Sequence, residues 1–231
     1  MRVPHFLNNT SRRIAAEKMF KAKILFVIAC AIGAMLFISS VAPMQLASAH
    51  QRKLFTIGDK DYLFVVGSIG EPLFVDDKSG VTFSAFWPDP SDPLNSNANS
   101  TEPIEGLENI LKVEISAGDK NKTLAFEPAF GEIGVYEAVF IPTIETTYNY
   151  TLFGNINSTD FRETWTCSPA GESVLAQDNS TVQTSTGVTR KGVSGSFGCP
   201  QSRDSIGFPE PYMSNNEIVN KIEELENATT Q

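Results

Sequence analysis

The chain has 231 residues, 18 basic against 27 acidic, for a net charge of −9, and three cysteines. Residues 1–49 hold six of the bases (Arg2, Arg12, Arg13, Lys18, Lys21, Lys23) and one acid, Glu17; taking these from the totals leaves 12 bases against 26 acids, a net of −14 for the remainder. A remainder this acidic, without an offsetting basic patch, repels nucleic-acid phosphates and excludes nucleic acid as a partner.

The first segment in chain order is the apolar run Ile24 to Val41, which carries no charge, follows the bases and precedes Ala47-Ser48-Ala49, a small-x-small signal-peptidase pattern. Residues 1–49 therefore read as a signal peptide, with His50 as first mature residue, or as an uncleaved signal anchor, since the run is near the roughly 18 residues that span a bilayer. Either reading puts the basic flank inside and the rest outside. The chain is thus secreted into an extracellular or periplasm-like space, or held there by an N-terminal transmembrane helix.

Residues 50–168 read as an immunoglobulin-like antiparallel β-sandwich, an all-β fold. Lys53–Ile57 and Tyr62–Gly67 flank the turn composition Gly58-Asp59-Lys60-Asp61. Val81, Phe83, Ala85 and Trp87 recur with period two, as do Leu111, Val113 and Ile115. After the turn Ala117-Gly118-Asp119-Lys120, strands are expected over Thr123–Glu127 and Gly134–Ile141. Tyr148, Tyr150, Leu152 and Ile156 then alternate with Asn149, Thr151 and Asn155, and Phe161, Trp165 and Cys167 close the set. Pro88 to Pro103 is polar and aperiodic, and reads as a long surface loop between two strands.

Beyond the sandwich, residues 169–212 are rich in Ser, Thr, Gly and Gln and read as an irregular tail. Residues 213–227 read as a short amphipathic helix: Ser214-Asn215-Asn216-Glu217 has the capping-box pattern, and Ile218, Ile222 and Leu225 share one stripe. Such a helix packs on its own domain or serves oligomerisation or docking, and is too short for a self-sufficient coiled coil.

Two features accord with export. Asn-x-Ser/Thr sequons fall at Asn99, Asn121, Asn149, Asn157, Asn179 and Asn227, which makes these residues glycosylation candidates. Cys30 lies in the apolar run, so Cys167 and Cys199 are the one cysteine pair outside it, and a disulfide between them is expected in an oxidising compartment.

Leu63–Ser68, Glu71-Pro72-Leu73-Phe74-Val75 and Ile104-Glu105-Gly106-Leu107-Glu108, followed by Glu127-Pro128-Ala129-Phe130-Gly131-Glu132 and Gly134-Val135-Tyr136, form one set of blocks. Phe140-Ile141-Pro142-Thr143, Tyr148-Asn149-Tyr150, Phe153-Gly154-Asn155-Ile156, Glu163-Thr164-Trp165 and Phe208-Pro209-Glu210 extend it. Together they resemble a largely uncharacterised family of exported immunoglobulin-like domains of bacteria and archaea, similar to YtkA-like and copper-resistance (CopC-type) periplasmic domains. The resemblance covers 50–167 well and 206–226 loosely. It implies a sandwich fold and an envelope location, and says more of fold than of function. This chain departs from the family in its Pro88–Pro103 loop, in its cysteine pair, and in reaching Gln231 where such domains continue into a membrane span, which assigns any anchoring to the N-terminal segment.

Copper-resistance domains use an N-terminal histidine, and His50 freed by cleavage would offer an amine and an imidazole to one Cu(II). The only other histidine is His5, so completion falls to carboxylates or backbone, with Asp59 and Asp61 as candidate ligands. With one histidine beyond residue 49 and no HExxH motif, phosphate loop or nucleophile elbow, no catalytic residues are assigned and no enzyme is expected. The expected function is a non-catalytic binding or scaffold module of the cell envelope. Its partner is an envelope or membrane protein met through a sandwich face, the long loop or the C-terminal helix. A copper-binding or copper-delivery protein is the alternative.

Overall fold

A computed structural model describes residues 50–169 and 177–229. The signal or anchor segment, with Cys30, lies outside the described residues. Among the described residues no helix is long and apolar enough to cross a membrane.

Among the described residues, twelve strands and one α-helix succeed one another. The strands are β1 (His50–Ile57), β2 (Lys60–Ser68), β3 (Ser79–Trp87), β4 (Glu102–Pro103), β5 (Leu111–Ala117), β6 (Lys120–Ala125), β7 (Glu127–Pro128), β8 (Val135–Phe140), β9 (Tyr148–Ile156), β10 (Thr159–Thr166), β11 (Val182–Ser185) and β12 (Val188–Ser194), and the helix is α1 (Asn215–Thr229). They make two antiparallel sheets. The larger runs β11-β12-β1-β2-β3-β8-β7, with β4 paired to β3, and the smaller runs β10-β9-β5-β6.

The turns expected from composition are where the sheets turn. Gly58-Asp59 joins β1 to β2 with Ile57 opposite Lys60, and Gly58 takes a φ of 64°, open to glycine without a steric penalty. Asn157 and Ser158 both have positive φ and join β9 to β10, the conformation that matches the twist of a two-residue hairpin.

Period-two alternation then builds the core. Phe55, Phe64 and Phe83 of the larger sheet and Val113, Tyr150, Leu152, Phe161 and Trp165 of the smaller are all buried in one cluster. Phe161 bridges the sheets, its ring edge-on to Phe55 at 5.3 Å and to Phe64 at 5.4 Å. The Tyr150 hydroxyl lies 3.0 Å from the Ser68 hydroxyl of the opposite sheet, so burying this tyrosine leaves its polar tip partnered.

The larger sheet is apolar on its outer face as well. Leu54, Leu63 and Val65 point away from the sandwich and are covered by Leu94 of the long loop, with Phe86 alongside. The loop is accordingly not a free excursion. Backbone bonds Asp92 N to Asp89 O, Asn95 N to Asp92 O, Ala98 N to Asn95 O and Thr101 N to Ala98 O wind it into successive tight turns. The Asp89 carboxylate accepts from the Ser91 and Ser100 amides, 2.8 and 3.2 Å away, and ties the two ends of the loop together.

The irregular tail expected over 169–212 is corrected by the structure. Val182–Ser185 and Val188–Ser194 form a hairpin, and β12 pairs along β1 from Arg52–Ser194 to Ile57–Val188. The hairpin is polar because it edges the sheet, and Val188 and Gly192 are its only strand residues that are buried, so its strands carry a weak apolar period. The disulfide between Cys167 and Cys199 is present, with the two Cα atoms 4.9 Å apart.

At the open edge of the smaller sheet, Lys120 and Lys122 of β6 stand opposite Ala117 and the buried Ile115. Both lysines take the core-facing phase of an exposed strand. A lysine directed inward at an edge opposes pairing with another chain.

Candidate functional site

The residues proposed for copper do not converge. His50 opens β1 opposite Gly67, whereas Asp59 lies in the turn beyond Ile57 and Asp61 follows it in β2. The two ends of β1 are on the order of 23 Å apart at about 3.3 Å per residue. The Asp61 carboxylate accepts from Lys191 at 2.8 Å and from Thr56 at 2.6 Å. Burial works to raise its pKa, but these bonds and the Lys191 charge outweigh it and hold it lowered. Partial burial, helped by the charge of Arg52, lowers the His50 pKa. Among the described residues no three His, Cys, Asp or Glu side chains gather to hold a metal.

Sequence reasoning passed over an ion cluster inside the sandwich. Lys53 takes the core-facing phase of β1, which continues through Phe55 and Ile57, and Glu163 sits between the core residues Phe161 and Trp165 on β10. Facing each other across the gap, they meet at 2.6 Å, and Arg190 of β12 reaches the same Glu163 oxygen at 3.1 Å. Lys53 also donates to Thr164 O at 2.6 Å and stands 4.6 Å above the Trp165 ring. Burial lowers the Lys53 pKa, opposed by the Glu163 charge. The signal was legible, since a lysine and a glutamate each interrupt an apolar phase. All of its partners are internal, so the cluster fastens the two sheets.

The glycosylation candidates differ in setting. Asn99, Asn121, Asn157, Asn179 and Asn227 are exposed, and Asn149 is half-buried, with its side chain accepting from Thr166 at 2.7 Å. Asn157 already donates to the Tyr62 hydroxyl at 2.7 Å.

The remaining feature is the pole where β1 begins and α1 leaves. The segment after the disulfide is fastened across this pole. Phe74 bridges Gln201 in parallel. Arg203 pairs with Asp77 and lies 5.2 Å over the Tyr212 ring. Asp76, with a φ of 64°, donates its amide to Pro142 O at 2.8 Å and accepts the Asn215 amide on its carboxylate at 2.8 Å. That last bond secures the first residue of α1 to the body. The capping box is formed as the sequence predicts: Ser214 N donates to Glu217 Oε2 at 2.7 Å, and Glu217 N donates to Ser214 Oγ at 3.3 Å.

Beyond its base, the helix leaves the body. None of its residues is buried, and Ile218, Val219, Ile222 and Leu225 are 40, 50, 50 and 68% exposed. The result, among the described residues, is a capped helix on a fastened base with a largely exposed apolar stripe. No protein-family model, curated protein or solved structure matches the chain.

Proposed function

We propose that this chain is an exported, non-catalytic binding module of the cell envelope, an immunoglobulin-like sandwich that meets a protein partner through α1. The observation that carries this reading is the exposed stripe of Ile218, Ile222 and Leu225 on a helix otherwise fixed at its start. Apolar side chains aligned on one helix face gain most when another apolar surface removes them from water. The disulfide supports an oxidising location, and the family resemblance of residues 50–167 supports an envelope domain.

The partner is a protein. A lipid surface is a poor fit, because α1 carries Glu217, Glu223, Glu224 and Glu226 against Lys221, whereas helices that lie on anionic membranes are basic on their polar face. The test is amine-reactive crosslinking of the full chain in cells that produce it, with adducts mapped by mass spectrometry. Adducts through Lys221 are expected, and Ile222→Asp removes them while leaving the thermal transition of the body in place. Adducts unchanged by Ile222→Asp would refute the role of α1.

A further inference from the structure

We propose that the partner of α1 is a second copy of this chain, and that the two helices pair in parallel and in register as a short two-stranded coiled coil. The inference rests on the reading of α1 as the contact element and names what covers it.

The spacing of the stripe sets the geometry. Ile218, Ile222 and Leu225 are separated by four and then three residues, which fits the heptad step as well as an amphipathic face. Placing Ile218 and Leu225 at d puts Asn215, Ile222 and Thr229 at a. Ile222 at a followed by Leu225 at d is the combination that favours two strands, and Asn215 at a limits the higher-order pairing that Ile218 at d would allow. An Asn at a favours a parallel, registered dimer, because the two amides meet each other across the seam. Asn215 stands at the first turn, where its backbone is fixed to Asp76, so the register is set where the helix is best held.

Charge decides the orientation. In this heptad Lys221 falls at g and Glu226 at e of the next heptad. A parallel pair sets the g residue of one helix beside the e residue five positions on in the other, so Lys221 of each copy faces Glu226 of the other, twice by symmetry. An antiparallel pair, which matches g with g and e with e, forms no Lys221–Glu226 contact in any register. The parallel arrangement is also the one that leaves both bodies at the same end, each fastened to its helix through Asp76 and the Arg203 anchor.

The helix is 15 residues long, about 22 Å at 1.5 Å per residue. So short a seam is weak in solution. It gains strength where chains are held at high local concentration, as on a common surface.

The test is oxidative crosslinking of the full chain, in cells, in a Cys30→Ser background that removes the one cysteine outside the Cys167–Cys199 bridge. Leu225→Cys, at d, is expected to yield a disulfide-linked dimer lost on reduction. Asn220→Cys, on the outer face, is expected to yield none, because its Cα atoms lie beyond disulfide reach. Lys221→Glu is expected to lower the Leu225→Cys dimer by about five-fold, the scale of two exposed ion pairs turned repulsive, and Glu226→Lys added to it restores the yield. No dimer from Leu225→Cys, or equal dimer from Asn220→Cys, overturns self-pairing. A bridge that forms only between Ile218→Cys and Leu225→Cys chains overturns the parallel register. If Leu225→Cys gives no dimer while Lys221 still forms adducts with another protein, the contact role of α1 survives and self-pairing alone falls.

Discussion

The sandwich and α1 use the same residue types to opposite effect. Ile57, Leu63 and Phe64 in the body are fully buried, while Ile222 and Leu225 on the helix are 50 and 68% exposed. The larger sheet of the body is covered on both faces, the outer one by the loop residue Leu94. The helix has every local requirement of a stable element, a reciprocal cap and a fixed first residue, but little cover among the described residues. Local signals can therefore specify an element completely without specifying what packs on it.

The sharpest way to break this contrast is to cut equal chemistry from both regions. Phe64→Ala removes a ring that meets Phe55, Phe83 and Phe161 within 5.1 to 5.6 Å, and is expected to cost about 3–5 kcal/mol in urea unfolding. Leu225→Ala in dilute protein is expected to shift the same transition by less than about 0.5 kcal/mol. A comparable loss from Leu225→Ala would show that α1 packs on its own body after all. Removal of the disulfide by a Cys167→Ser, Cys199→Ser double change comes next, at about 3–4 kcal/mol on the chain-entropy view for a separation of 32 residues. Glu163→Gln leaves Lys53 and Arg190 charged with their shared acceptor neutralised, and about 3 kcal/mol is expected. The exposed Arg162–Glu114 pair serves as control, with Glu114→Gln within about 1 kcal/mol of the parent.

A smaller effect separates the body from the helix by pH. Glu71 is half-buried, and burial raises its pKa from 4.5 to about 7 against the opposing bonds from the Ser68 and Gly198 amides. Between pH 4.5 and 7 the folded chain then holds a proton that the unfolded chain has released, so this group makes stability fall as pH rises through that window. Glu71→Gln is expected to flatten the slope of the urea midpoint across that range, and an unchanged slope would place the carboxyl in water. The smallest effect is Ser214→Ala, which removes one side of the capping box and is expected to cost the helix about 1 kcal/mol, read as reduced helical circular dichroism with the body transition unmoved.

Much of the body was legible in the sequence because one buried face imposes one period. The β1–β2 hairpin, the strands around Phe83, Val113 and Tyr150, the cysteine pair and the Ser214–Glu217 cap are all local or alternating signals. The β11–β12 hairpin escaped because its main neighbours are backbone groups of β1 and the side chain of Glu163, and hydrogen bonding leaves no hydrophobic trace. The loop between Pro88 and Pro103 was legible as a loop, but not its place, because one leucine among prolines and asparagines, Leu94, decides where it lies. The copper grouping of His50 with Asp59 and Asp61 took nearness along the chain for nearness in space. An extended strand lengthens by about 3.3 Å with every residue, so a single strand separates the side chains at its two ends as effectively as an unrelated domain would.

The two lysines on β6 bear on what a bare strand edge does when another chain is held beside it. A tether that joins two bodies raises the concentration of each near the other toward the millimolar range, and a bare strand edge is then a ready route from a closed pair to an open-ended filament. Lys120 and Lys122 put two ammonium groups where a neighbouring strand would have to dock its side chains. Growth by strand addition is thereby opposed on this edge of the smaller sheet.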